Sequence, residues 1–146
     1  MPRKPREFLE GFSYHIYNRG NRKYPVFYSN ADRKFFVRKI WFLSSARQCH
    51  IEVEMFCLMD NHFHFLLKQE KGDLISKFMQ RLMTSYSCYF NRRHCLVGHT
   101  FQGRYQCRKI RSNLDKKGVI QYIRENPVRS GLVENADDYP WLYIKK

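Results

Sequence analysis

The segment Asn61-His62-Phe63-His64-Phe65-Leu66-Leu67 sets two imidazoles one residue apart inside an apolar run. If the run is a strand, alternation sends His62 and His64 to one face and Phe63, Phe65 and Leu67 to the other. Neutral imidazoles held side by side are good ligands for a divalent metal. Two strand histidines hydrogen-bonded to their neighbours would satisfy the same spacing. Further along, Tyr122 and Asn126 stand four apart and share a face if their segment is helical, while Ile120 and Ile123 turn toward the core. Gly118 lies one turn earlier on that face. A glycine there costs a helix about 1 kcal/mol relative to alanine, and leaves room for a backbone or a ligand to come close. By itself Tyr122 reads equally as one packing residue among ten tyrosines.

The elements that must position these groups follow from periodicity. Phe12 to Arg19 alternates and breaks at Gly20-Asn21, which predicts a strand entering a loop. Ser29-Asn30-Ala31-Asp32 offers helix-capping side chains ahead of Phe36, Ile40 and Leu43 at helical spacing. Ile51, Val53, Met55 and Cys57 alternate up to the turn-like Met59-Asp60-Asn61, and His62 to Lys68 forms the other arm of a hairpin. An amphipathic helix is predicted from about Leu74 to Asn91, then a basic strand over Gly103 to Arg111. Ser112-Asn113 caps a last helix, expected to end near Asn126 because Pro127 disfavours helical geometry before it. The first six elements give an α+β, ferredoxin-like split β-α-β-β-α-β fold, with a four-stranded antiparallel sheet followed by a tyrosine-bearing helix and tail. Two helices cover one face of such a sheet. The other stays accessible, a common platform for single-stranded nucleic acid.

Length and composition frame this reading. The 146 residues are one domain's worth, 1–146, with no repeat or linker to divide them; residues 1–11 form a basic, flexible N-terminal segment. Twenty-seven Lys and Arg against 13 Asp and Glu leave a net charge of +14, which calls for a polyanionic partner. No run approaches the roughly 18 apolar residues of a spanning helix, so a membrane protein is not expected. With no export signal at the basic start, the reading is cytoplasmic, of bacterial type and nucleoid-associated, and the five scattered cysteines read as reduced thiols. His94, Cys95, His99 and Cys107 fit no familiar zinc spacing.

These residues resemble a family. His62-Phe63-His64 after Met59-Asp60-Asn61 looks like the His-hydrophobic-His (HUH) motif of single-tyrosine, single-strand DNA transposases. Three more segments are similar to one branch, the REP-associated tyrosine transposases. They are Tyr14-His15-Ile16-Tyr17-Asn18-Arg19-Gly20-Asn21, Gly98-His99-Thr100-Phe101-Gln102-Gly103-Arg104-Tyr105, and the stretch from Tyr122 through Asn126-Pro127 to Val133, with Tyr139-Pro140-Trp141 echoing the tail. The resemblance implies Tyr122 as nucleophile, His62 and His64 as metal ligands, and Asn126 as a third ligand to Mg2+ or Mn2+. His15 and Glu54 are also within reach of that face. The implied reaction is a metal-assisted transesterification on single-stranded DNA carrying a hairpin from a palindromic repeat, with a 5′-phosphotyrosine intermediate. A phenol is a weak nucleophile near neutrality, so the phosphate must be activated and the attack aligned.

DNA contacts are expected from Asn18, Arg19, Arg22 and Lys23 after the first strand, and from Arg104, Tyr105, Arg108, Arg111 and Arg129 later in the chain. Arg suits phosphate through its planar fork, and Tyr17 and Tyr105 could stack on bases. Two rival readings use the same sheet and charge. A non-catalytic or domesticated binding module leaves the coexistence of His62, His64, Tyr122 and Asn126 unexplained. A metal-dependent hydrolytic nuclease predicts free 5′-phosphate and no protein–DNA adduct. The short loop before the last helix favours Tyr122 acting beside its own subunit's histidines in a monomer, with a helix-exchanged dimer as the alternative.

Overall fold

The computed structural model describes residues 6–71 and 74–146. Its strands are β1 (Ser13–Arg19), β2 (Glu52–Leu58), β3 (His62–Lys68), β4 (Gln106–Lys109) and β5 (Leu142–Ile144). They form one antiparallel sheet in the order β4-β1-β3-β2-β5. The helices are α1 (Asn30–Ser44), α2 (Leu74–His94) and α3 (Asn113–Arg129). The split β-α-β-β-α-β order is as predicted, but the sheet has five strands, not four. Tyr139 brings the tail to the far edge by donating its hydroxyl to the Leu58 carbonyl at 2.5 Å, and β5 then pairs with Met55 to Cys57 of β2. Residues 1–5 of the predicted flexible N-terminal segment lie outside the described residues; of its remainder, Phe8 is buried edge-on against Tyr14 at 4.8 Å.

Alternation along β3 divides its side chains between two layers. Phe63, Phe65 and Leu67 enter a core with α1 and α2, where Phe36 lies 5.0 Å from Tyr86 and 5.5 Å from Phe63 between ring centroids. Leu66 points the other way, into a smaller core with Met55, Cys57, Val119 and Ile123. The sheet face expected to be open is therefore partly covered by α3, because Val119 and Ile123 lie one turn apart and need an apolar floor. That floor exists through a β-bulge. Pairing with β3 shifts between Val53 and Met55, so Glu54 and Met55 both turn toward α3, whereas Val53 joins the α1–α2 core. The simple alternation predicted for Ile51, Val53, Met55 and Cys57 fails at that extra residue. Glu54 accepts from Ser13 Oγ at 2.8 Å and pairs with Lys116 Nζ at 2.6 Å, which fastens the start of α3 over β1 and β2.

Three boundaries differ from expectation. Strand β4 begins at Gln106, not Gly103, because Gly103 belongs to a loop held by Asn18 Nδ2 through the Gly103 carbonyl at 3.0 Å. Helix α2 runs on to His94, whose Nε2 meets the buried Asp32 carboxylate at 2.8 Å; the structure thereby draws His94 away from any zinc cluster. Helix α3 continues through Pro127 to Arg129. Pro127 sits in the last turn, and the helix closes just beyond it. Gly131, at φ +76°, donates to the Val128 carbonyl and Leu132 to the Pro127 carbonyl, both at 3.0 Å, the paired bonds of a Schellman cap. No helix among the described residues is long and apolar enough to cross a membrane.

Candidate active site

Strand β3 presents both histidines to α3, and α3 presents Tyr122 and Asn126 to them. The His62 and His64 rings lie 5.2 Å apart at 88°, and the Tyr122 ring is 5.8 Å from His64, again edge-on. Tyr122 is 47% exposed, whereas His64 is buried. All four residues line one cavity of about 570 Å3, whose rim includes Tyr17, Arg19 and Arg104. A second cavity of about 460 Å3 lies on the other side of Tyr122, bounded by His15, Arg108 and Gly118. A Cβ at Gly118 would meet nothing within 4 Å, so no backbone packs there and the missing side chain leaves free space beside Tyr122.

Burial keeps these imidazoles neutral. It lowers His64 to about 3, with the neighbouring His62, His15 and Arg129 adding to the effect. Burial, aided by Arg108, lowers His15 to about 4, and burial lowers His62 as well. Asn126 Nδ2 donates to the Tyr122 carbonyl at 3.1 Å, which turns its Oδ1 toward His62 Nε2, 3.4 Å away. Two neutral imidazoles beside an amide oxygen are a donor set suited to a divalent cation. Among the described residues no three His, Cys, Asp or Glu side chains form such a group; the set here depends on the Asn126 amide as its third member. Glu54 is drawn off by Lys116 and Ser13, and His15 Nε2 faces His64 Nδ1 at 3.0 Å.

The predicted DNA-contact residues separate into groups. Arg19 and Arg104 reach the rim of the 570 Å3 cavity, Arg19 with its Nε bonded to Gln102 Oε1. The Arg129 guanidinium lies over the Tyr122 ring, 5.0 Å from its centroid. Asn18 is buried and holds the Gly103 loop. Arg22 and Lys23 stand exposed in the turn after β1 with φ of 55° and 62°. That turn depends on Gly20, where a Cβ would sit 2.0 Å from the Tyr24 carbonyl oxygen. Arg108 makes a bidentate pair with Asp115 at 2.9 and 3.0 Å, and the exposed Arg111 donates its backbone N–H to the same carboxylate at 2.8 Å. Tyr105 is not brought to the histidines. Its ring packs beside the α1–α2 core with the Arg6 guanidinium 4.0 Å above it. The contacts of His15 and Asn61 with the two histidines were not read from the sequence, although alternation along β1 already sets His15 on the histidine face.

The fold is similar to that of two solved structures. One solved structure of similar fold is a REP-associated tyrosine transposase bound to a REP hairpin, at TM-score 0.77 and 19% identity over 97% of this chain and 82% of that one. Another is a putative transposase from Deinococcus radiodurans R1, at TM-score 0.56 and 15% identity over 85% of this chain and 97% of that one. No curated protein matches the sequence. Residues 9–126 match the family model of IS200-like transposases, and the chain belongs to that family.

Proposed function

We propose that the protein is a transposase of the REP-associated branch, which cleaves and rejoins single-stranded DNA next to a palindromic hairpin. The observation that carries this reading is the convergence of an accessible Tyr122 with His62, His64 and Asn126 on one cavity with a basic rim. Tyr122 Oη attacks a backbone phosphorus, the bond to the 3′ oxygen breaks, and the DNA leaves a 3′-hydroxyl and a 5′-phosphotyrosine. Attack of a 3′-hydroxyl on that phosphotyrosine reverses the step and joins strands without an outside energy source. His62, His64 and Asn126 would hold a divalent cation, Mg2+ or Mn2+, which neutralises charge on the phosphate. Arg19 and Arg104 draw the backbone to the rim through charge-assisted hydrogen bonds. Arg129, over the Tyr122 ring, holds that ring by a cation–π contact at the edge of the cavity.

The likeness to a hairpin-bound relative supports a hairpin substrate. Tyr122 and the histidines converge within a single chain, which supports catalysis by a monomer on its own site. The test is incubation with labelled single-stranded hairpin DNA from the gene's flanks and Mg2+ or Mn2+, resolved on a denaturing gel. A DNA-shifted protein band is expected, lost in both Tyr122→Phe and His64→Ala. Cleavage without an adduct that survives Tyr122→Phe would identify a hydrolytic nuclease instead. Binding with no cleavage under either metal would leave a DNA-binding protein.

A further inference from the structure

We propose that Asn61 and His15 are positioning residues that fix the tautomers of His62 and His64, so that each imidazole turns an unprotonated Nε2 toward the cavity. The inference rests on the metal-assisted reading above and concerns how the chain prepares that site. A neutral imidazole has one N–H and one lone pair, and whichever nitrogen donates a hydrogen bond is removed as a ligand.

For His62 the proton's position follows from a chain of bonds. Asn61 Nδ2 donates to the Lys23 carbonyl at 3.3 Å, and a carbonyl can only accept. The Asn61 amide is thereby oriented, with its Oδ1 facing His62 Nδ1 at 2.7 Å. An amide oxygen also only accepts, so His62 Nδ1 carries the hydrogen and Nε2 carries the lone pair. That lone pair faces Asn126 Oδ1 at 3.4 Å, and Asn126 is oriented in the same manner by its bond to the Tyr122 carbonyl. Two acceptors then face each other with no proton between them. This arrangement is unfavourable unless a cation joins it.

His64 has the corresponding partner on the neighbouring strand. Tyr17 pairs with His64 in the β1–β3 register, and His15, two residues before Tyr17, lies on the same face. His15 Nε2 comes to 3.0 Å from His64 Nδ1, with the ring centroids 5.3 Å apart, the ring planes within 24° of each other and both side chains buried. One proton lies between these two nitrogens. With His64 as donor, its Nε2 is left free, as it is in His62. His15 Nε2 is then occupied as an acceptor and is not available to take the proton of Tyr122. An amide serves one histidine and an imidazole the other: the amide oxygen can only accept, which fixes the His62 proton, whereas the imidazole pair shares one proton, which we assign to His64 Nδ1. Partners of this kind commonly change metal affinity by about 10–100-fold when removed.

The tautomers can be read without catalysis, by long-range 1H–15N correlation spectra of histidine-labelled protein. Both His62 and His64 are expected in the Nδ1–H form; an Nε2–H form of either in the wild type overturns its assignment. Calorimetric titration with Mn2+ then compares wild type, Asn61→Ala, His15→Phe and His15→Gln. Asn61→Ala and His15→Phe should each weaken Mn2+ binding by about 10–100-fold, while hairpin binding without metal, which reads the fold, is retained. His15→Gln keeps an acceptor near the Nε2 position and should recover part of the loss. Mn2+ binding that is abolished in His62→Ala but unchanged in His15→Phe and Asn61→Ala overturns the positioning roles alone. No Mn2+ binding by the wild type overturns the metal-assisted reading and this inference together.

Discussion

The two faces of the sheet are built from the same strands to opposite ends. Toward α1 and α2, β3 contributes Phe63, Phe65 and Leu67 to a continuous aromatic and aliphatic core. Toward α3 it contributes His62, Leu66 and His64, so the apolar contact shrinks to a patch around Leu66, Met55, Cys57, Val119 and Ile123. Beside that patch lie buried polar side chains, His15, Glu54 and His64 among them, each with a specific partner. One face supplies cohesion, and the other trades cohesion for accessible chemistry. The division explains why Tyr122 belongs to a helix fastened by ion pairs as well as by packing.

The strongest way to break this comparison is a matched pair of truncations. Phe65→Ala removes a fully buried ring and should cost about 3–5 kcal/mol in chemical denaturation. Ile123→Ala, equally buried but in the smaller core, should cost about 2 kcal/mol, and should also weaken adduct formation by loosening α3. Equal costs would mean that the two layers carry equal weight.

Acid offers a smaller, sharper probe, since it acts on the α3 face. In the unfolded chain these histidines take up protons near pH 6.5, whereas in the folded chain His15 does so only near 4 and His64 near 3. The unfolded state therefore binds more protons in this window, and stability falls as pH drops from 6.5 toward 4. Melting temperature followed against pH should show this slope, and His15→Phe should flatten it. An unchanged slope would place the acid-sensitive groups elsewhere. The smallest effect is expected at Gly118. Its alanine variant meets no neighbour and should gain up to about 1 kcal/mol of stability in the same denaturation assay. A loss there would mean that the second cavity is tighter than its geometry indicates.

Much of this was legible in the residues. The span His62–Lys68 is predicted and observed alike, because strict alternation of two histidines with three large apolar side chains admits one strand register. The clustering of Tyr122 and Asn126 followed from helical spacing alone. What escaped depends on long-range contact. Strand β5 is three residues long and is held on by contacts far apart in the sequence, Tyr139 to Leu58 and Lys145 to Glu54 and Glu52 among them. The bulge at Glu54 is specified by Ser13 and Lys116, from β1 and α3. The later start of β4 depends on the bond from Asn18 to the Gly103 carbonyl, a side-chain contact that periodicity does not carry. Pro127 was read as a terminator, although a helix tolerates it one turn before a glycine cap.

The bond from the Asn126 amide to the Tyr122 carbonyl has a mechanical consequence. It makes the Tyr122 and Asn126 side chains two teeth of one gear, four residues apart on a helix that turns about 100° per residue. One residue inserted ahead of Tyr122 would swing both away from the histidines together, and no local adjustment could restore one without the other. Tilting α3 as a body preserves their spacing. The relative placement of the Tyr122 and Asn126 side chains is thus set by helical pitch, a quantity that sequence drift elsewhere in the chain leaves untouched.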